Sequence, residues 1–418
     1  MRTAPALAEM CLKCNICTSA CPVMAVSDEF LGPKAVGPQA ERFRHPRAHV
    51  PNASVSWCSG CGVCSRVCPH GVPVTELNIQ AKGKLAEQNG APLRDQLLAR
   101  PALLARFAGP VAPLANAALQ ARPARYLAEA VFGISRSAPM PRFARKTFRD
   151  LEASRQTEAP RPSARPAVAY FHGCSVNHYE PGLGQLAVRV LDRLGFDVWL
   201  PPQGCCGLPL QSNGLFEAAR GYARTNLRGL APFAAAGIPI LGTSTSCTLA
   251  LKHEYGAILG MEEEACEIVA GAVFDFFEFL RDSVPQLLDP GSLQPVPMRV
   301  VYHPPCQLKS HAIGLPAYDI LRRVPGLEIT LSDSECCGVA GTYGLKRERY
   351  AVARAVGETL FNQVRETAPD AVVTDSETCR WWIQGLSGVT AFHPMQILAL
   401  ALGLEENSPR MRRPDVPR

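Results

Sequence analysis

Seventeen cysteines stand in this 418-residue chain, and sixteen of them fall at spacings that suit metal chemistry. Near the N-terminus the run Cys11-x2-Cys14-x2-Cys17-x3-Cys21-Pro22 recurs as Cys58-x2-Cys61-x2-Cys64-x3-Cys68-Pro69. Three thiolates at successive three-residue steps wrap one face of a four-iron, four-sulfide cube, and the fourth, before proline, reaches across to the other cluster. That rule assigns Cys11, Cys14, Cys17 and Cys68 to one [4Fe-4S] cluster, and Cys58, Cys61, Cys64 and Cys21 to a second. Structural zinc favours two separated Cys-x2-Cys pairs, a pattern these runs lack. The 36 residues from Pro22 to Trp57 separate the runs, so the unit is an expanded form of the compact two-cluster core.

A second system is duplicated. Cys174, the pair Cys205 and Cys206, and Cys247 recur as Cys306, the pair Cys336 and Cys337, and Cys379, at offsets of 132, 131 and 132 residues. Offsets this constant mean one supersecondary unit used twice. Adjacent side chains normally diverge, so two neighbouring thiols serve one compact cluster only through an unusual turn. The glycine after each pair supplies it, because glycine tolerates positive φ and close backbone approach. Buried free thiols are the competing reading, but they leave the periodic placement unexplained.

The elements that must position these cysteines follow the same repeat. An apolar run (AVAYF, then MRVVYH) precedes the first cysteine, and a helical pattern follows it (GQLAVRVLDRLG, then AYDILRRVPG). A short strand (DVWLP, then LEITL) leads to each Cys-Cys-Gly. Longer helices are expected over 215–231 and 346–366, and a third strand (IPILGTS, then AVVTDS) ends just before the last cysteine. Strands alternating with helices predict parallel βαβ units, and loops past the carboxyl ends of such strands gather at one ligand-binding edge. The expected fold is α/β: an α-rich double-cluster ferredoxin-like domain, then a duplicated βαβ domain with parallel sheets. The expected boundaries are 1–90 for the ferredoxin-like part, 91–165 for a basic helical linker, 166–262 and 296–402 for the repeats, 263–295 for an inter-repeat helix and linker, and 403–418 for a disordered tail.

Composition limits the class. With 47% hydrophobic residues the chain can bury two or three ordinary cores, and a net charge of +6 does not by itself imply nucleic acid. The start, MRTAPALAEM, lacks an apolar core of signal-peptide length, so a reduced, cytoplasmic metalloprotein is expected rather than a disulfide framework. No Ser/His/Asp set, Walker loop or HExxH motif appears, so the chain is not expected to oxidise a substrate alone.

The CCG pairs and their flanking cysteines resemble the CCG domain of heterodisulfide reductases and of glycolate and lactate oxidase iron–sulfur subunits. Within that group the chain is similar to the C-subunit family of anaerobic glycerol-3-phosphate dehydrogenases. The stretches that carry this are CLKCNICTSACPV, GPKAVGPQAERFR, YFHGCSVN, CCGLPLQSNG, TSTSCTLALKHEY, VVYHPPC, ECCGVAGTYGLK and TDSETCRWW, in order over residues 10 to 400. The resemblance implies an electron-transfer subunit with two [4Fe-4S] clusters, further iron–sulfur cluster(s) at the eight CCG cysteines, and no flavin or NAD of its own. It implies flavoprotein dehydrogenase partners of the A and B type, delivery to membrane quinone, and peripheral attachment on the cytoplasmic side of the inner membrane. Rival classes are a glycolate or lactate oxidase component, a disulfide reductase using the CCG site, and a structural membrane anchor.

One departure is informative. Heterodisulfide reductase ends each repeat in a Cys-x2-Cys pair, whereas this chain reads Ser244-x2-Cys247 and Ser376-x2-Cys379. Soft iron sites prefer sulfur to serine oxygen, so a simpler cluster on four cysteines per half, or in one half only, is expected instead of the five-cysteine form. Cys266 matches no repeat position and reads as a free thiol. His172 and His303 precede Cys174 and Cys306, and read either as donors to cluster sulfur or as satisfied loop histidines. The stretch from Gly182 to Ala187 has the form GxGxxA, but no acidic residue ends a following strand at the interval a dinucleotide fold requires.

Residues 91–150 hold ten basic residues against Asp95, Glu129 and Asp150, a net of +7. The longest uncharged run, 107–121, is interrupted by Pro110 and Pro113, and a spanning helix needs about 20 residues. No membrane crossing is therefore expected. Basic amphipathic helices lying in an anionic membrane surface and a linker packed on partner subunits are equally compatible with this composition. No motif interleaves aromatics with the charge as nucleic-acid binding requires.

Overall fold

A computed structural model describes residues 7–43, 52–288 and 290–404; the tail expected to be disordered lies outside them from residue 405. Each repeat forms a four-stranded, all-parallel sheet. The strands are β1 (Ala167–Phe171), β2 (Asp197–Trp199), β3 (Ile240–Gly242) and β4 (Val273–Asp275), then β5 (Met298–Tyr302), β6 (Leu327–Leu331), β7 (Ala371–Val373) and β8 (Ala391–Phe392). Their orders, β2-β1-β3-β4 and β6-β5-β7-β8, are the same topology twice. Tyr170 pairs with Leu241 across β1 and β3, and Val301 with Val372 across β5 and β7. The central strands are nearly continuous apolar runs because helices cover both faces.

The sequence reading places three strands per repeat; the fourth, β4 and β8, is a difference. Both are only two or three residues long. In the first half, Phe276–Asp282 follows β4 at once, capped by Asp275, whose side chain accepts from Phe277 N while Glu278 closes the box. The helix expected over 346–366 is two, Arg347–Val356 and Glu358–Thr367. They part at Gly357, where a Cβ would lie 2.3 Å from the Cys337 carbonyl oxygen. The GxGxxA stretch lies inside the helix Pro181–Arg193, and a Cβ on Gly184 would strike Phe148 and Val176 at 2.6 Å. Gly184 serves helix packing, whereas Gly182 has open space around it.

One core joins the halves: Val168 and Tyr170 of β1, Val300 and Tyr302 of β5, Leu186 and Leu191, Phe276 and Phe277, and Leu398. Full burial of each such aliphatic side chain contributes about 1.5–3 kcal/mol, so the two sheets are held against each other. The ferredoxin-like part docks through its long helix Val74–Asn89. Gly83 of that helix lies against the Phe216 ring, which a Cβ would meet at 2.8 Å.

The linker departs from expectation. Pro110 and Pro113 fall in first turns, of Gly109–Val111 and Ala112–Gln120, where a missing amide costs nothing. Pro101–Gln120 is therefore one 20-residue helical run with mean hydropathy 1.3, long and apolar enough to cross a membrane by length and composition alone.

Candidate iron–sulfur sites

The first cysteine run and Cys68 come together. Cys11, Cys14, Cys17 and Cys68 line one small pocket with Lys34 and His70. The second run closes around Cys21: Cys64 faces Cys58, Cys61 and Cys21. Burial pushes the Cys21 thiol up to about 11 and Cys61 up to about 12, with neighbouring thiols adding to both. The local fold repeats with the spacing. Lys13 and Asn15 sit at positive φ (61° and 70°), as do Gly60 and Gly62 (69° and 79°) at the matching positions of the second run. Each left-handed turn folds the chain back so that successive thiols face inward.

Every repeat cysteine follows the carboxyl end of a strand, and the two halves share one geometry. Gly207 and Gly338 adopt φ of 88° and 94°, and their N–H groups donate to Cys205 Sγ at 3.5 Å and Cys336 Sγ at 3.3 Å. Thiol donation from Cys174 and Cys206 holds Cys205 well below the usual thiol range, and Cys306 and Cys337 do the same for Cys336. Cys337 Sγ lies 3.2 Å from Cys379 Sγ. A cavity of about 130 Å³ is lined by Cys174, Cys206 and Cys247 from one half and Cys306, Cys336, Cys337 and Cys379 from the other. Soft, buried thiols on glycine-shaped turns fit iron–sulfur centres.

Ser244 and Ser376 also line this cavity. Ser376 Oγ accepts from Cys379 N at 3.5 Å as a helix cap. His172 and His303 are buried, which pushes them down to about 3 and about 4, so both are neutral. His172 Nδ1–H donates to the Gly173 carbonyl at 2.7 Å, which leaves Nε2 as an acceptor with nothing to give a sulfur. His303 Nδ1 faces Ser332 Oγ at 3.1 Å. Cys266 lies apart from the cavity, on Glu264–Ala272, as a buried free thiol.

The sequence reading does not reveal that the two cysteine systems touch. Cys61 packs with Cys306 and Cys336 around Val63. Around them Arg66 pairs with Glu335 at 2.6 Å, and Gly62 leaves room for Ser310 Oγ, 2.1 Å from where a Cβ would stand. Nor does it single out Glu254 and Glu377, which line the cavity; burial pushes both up to about 7. The signal for each is an acid inside an otherwise apolar or cysteine-bearing motif, and Glu254 ends a single π turn, Ala250–Glu254.

Family models agree with these two systems. One described as a 4Fe-4S dicluster domain matches residues 7–72, and one described as a cysteine-rich domain matches 168–252 and 300–384. The chain is 36% identical over 399 residues to the C subunit of the anaerobic glycerol-3-phosphate dehydrogenase of Escherichia coli K12, covering 94% of this chain and 98% of that protein. The chain belongs to the C-subunit family of anaerobic glycerol-3-phosphate dehydrogenases. It is also 26% identical to the Escherichia coli glycolate oxidase iron-sulfur subunit, over 96% of each chain. The B subunit of the fumarate reductase (CoM/CoB) of Methanothermobacter marburgensis is 28% identical, over 94% of this chain and 72% of that one. Membership of the C-subunit family and the two domain types make this an iron–sulfur protein with a duplicated cysteine-rich domain.

Proposed function

We propose that the chain is the electron-transfer subunit of a glycerol-3-phosphate-oxidising complex, taking electrons from flavoprotein partners and passing them to quinone at the membrane. The substrate rests on the similarity to the Escherichia coli glycerol-3-phosphate dehydrogenase relative. The observation that carries the electron-transfer reading is the packing of Cys61 against Cys306 and Cys336. Four-iron clusters held by the two N-terminal cysteine sets would supply single-electron steps between two-electron partners. The chain's own residues do the rest. Cys58, Cys61, Cys64 and Cys21 are all buried, and Cys61 packs against Cys306 and Cys336 of the second repeat, which keeps water from the contact. The neighbouring thiols and Gly338 N–H push the Cys336 thiol well below its usual range, which favours the thiolate that ligates iron.

A second reading, a disulfide-reducing site, is favoured by the cavity that thiols of both halves line together. Turnover of a small disulfide by the isolated chain would support it.

The test is paramagnetic resonance of the anaerobically reduced full-length protein. The signal from the Cys58, Cys61, Cys64 and Cys21 set should be broadened by a neighbouring centre. Cys306→Ala with Cys336→Ala should sharpen it and leave the signal of the Cys11 set unchanged. A signal equally sharp in parent and variant would contradict passage through this contact.

A further inference from the structure

The linker helices turn a bare apolar face outward. Phe107 is 72% exposed, Leu114 74%, Leu127 64% and Val131 62%. The opposite side of the run is seated on the protein: Tyr179 Oη donates to the Pro101 carbonyl at 2.9 Å, and Asn116 exchanges hydrogen bonds with the Phe143 backbone at 2.9 and 2.8 Å. A helix held along one side in this way lies on a surface.

Beside that face opens a cavity of about 1050 Å³ between the linker and the second repeat. Arg122, Arg125, Arg136, Arg142 and Arg380 line it, and the single lining carboxylate is Glu180. Glu180 is already engaged by Arg380 and by the indole N–H of Trp381. Arg125 is engaged by the carbonyls of Arg136 and Ser135. Arg380 is 7% exposed; its two terminal nitrogens donate to Gln396 Oε1 at 3.3 Å and to Glu180, and its Nε has no partner among the described residues. Tyr126 lines the cavity and is itself 55% exposed, so cavity and apolar face are continuous.

We propose that this cavity receives the phosphate headgroup of an anionic phospholipid, with Arg122 and Arg142 on the phosphate, the other arginines adding positive potential, and the acyl chains along Leu114, Tyr126, Leu127 and Val131. Arginine forks match phosphate oxygens bidentately, and an apolar stripe beside a basic rim suits the boundary between headgroups and acyl chains. The proposal rests on the membrane-surface reading of the linker and adds to it a discrete site with headgroup selectivity.

The test uses the full-length protein and short-chain lipids below their micelle concentration, read by calorimetry. Dihexanoyl phosphatidylglycerol should bind at least about tenfold more tightly than dihexanoyl phosphatidylcholine, because both carry the phosphate but the choline ammonium of the second brings a like charge among the arginines. Arg122→Gln with Arg142→Gln, both exposed positions, should remove the preference while the fold, followed by thermal unfolding, stays intact. Equal binding of the two lipids, no binding of either, or equal competition by inorganic phosphate would overturn the headgroup site. Flotation with phosphatidylglycerol vesicles separates the two levels. If flotation persists while the short-chain lipid fails to bind, the surface reading stands and the headgroup site falls. If flotation also fails, both fall.

Discussion

Gly338 shows what a single position contributes to the CCG turn. Its φ of 94° is one that side-chain-bearing residues rarely adopt, and a Cβ there would stand 1.8 Å from the Ala353 carbonyl oxygen. Gly338→Ala should therefore lose more than the roughly 1–3 kcal/mol of backbone strain alone, along with the visible absorption of the second repeat. Gly388→Ala is the control, since that glycine has φ 72° and open space around it; thermal unfolding and absorption spectra compare the two. Asp375 gives a pH dependence. Burial pushes its carboxyl up to about 7 despite the hydrogen bond from Tyr302 Oη at 2.6 Å. Burial also raises the neighbouring Asp275 well above the usual carboxylate range, and Asp375 adds to it. Because the folded state binds this proton more tightly than the unfolded chain, whose carboxyl titrates near 4, stability falls as pH rises from about 4 to about 7 and then levels. Asp375→Asn should flatten that decline, seen as a melting temperature that changes less between pH 5 and pH 8. An unchanged slope would mean that Asp375 titrates normally.

At the scale of elements, the strongest signals were those with a period. Cysteines at offsets of 131 and 132 residues, each past an apolar run, marked six of the eight strands and the rim they share. The fourth strands escaped because no repeat cysteine follows them; β2, equally short and also at an edge, was legible through its place before Cys205. The break at Gly357 escaped because its cause is the Cys337 carbonyl, distant in the chain. The contact between the cysteine systems was illegible for the same reason: spacing says which thiols belong together, not which sets face each other. Ser310 tests that junction without altering a thiol: its hydroxyl donates to the Cys306 backbone carbonyl at 3.0 Å and lies beside Gly62. Ser310→Leu should press on Gly62 and move the ferredoxin-like part off the second repeat. Iron content should stay at the parent value while the paramagnetic broadening shrinks. Arg66→Ala, which removes a half-exposed pair with Glu335, should change stability by about 1 kcal/mol or less.

Across the whole molecule, charge was legible in amount but not in use. Part of the linker's +7 is spent inside the fold: Arg94 makes a two-pronged pair with Glu348 at 2.8 and 2.7 Å, and Arg149 donates to the Pro201 carbonyl at 2.9 Å. Lys346 reaches Asp95 at 2.7 Å, so the linker is fixed to the second repeat. The prolines that interrupt the apolar run in sequence start new turns of the same rod, and that depends on where each turn begins. On the proposed function the three parts form one path: an N-terminal domain with two cysteine sets, a contact at Cys61, and a rim lined by thiols of both repeats. The most direct measurement on that path is the iron and acid-labile sulfide content of the anaerobically purified full chain and of Cys336→Ala with Cys337→Ala. The parent should hold about eight iron atoms in two four-iron clusters and more at the CCG rim. The double variant should fall toward about eight, with its ferredoxin-type signals intact. Equal iron in both proteins, or stoichiometric zinc with little sulfide, would contradict it.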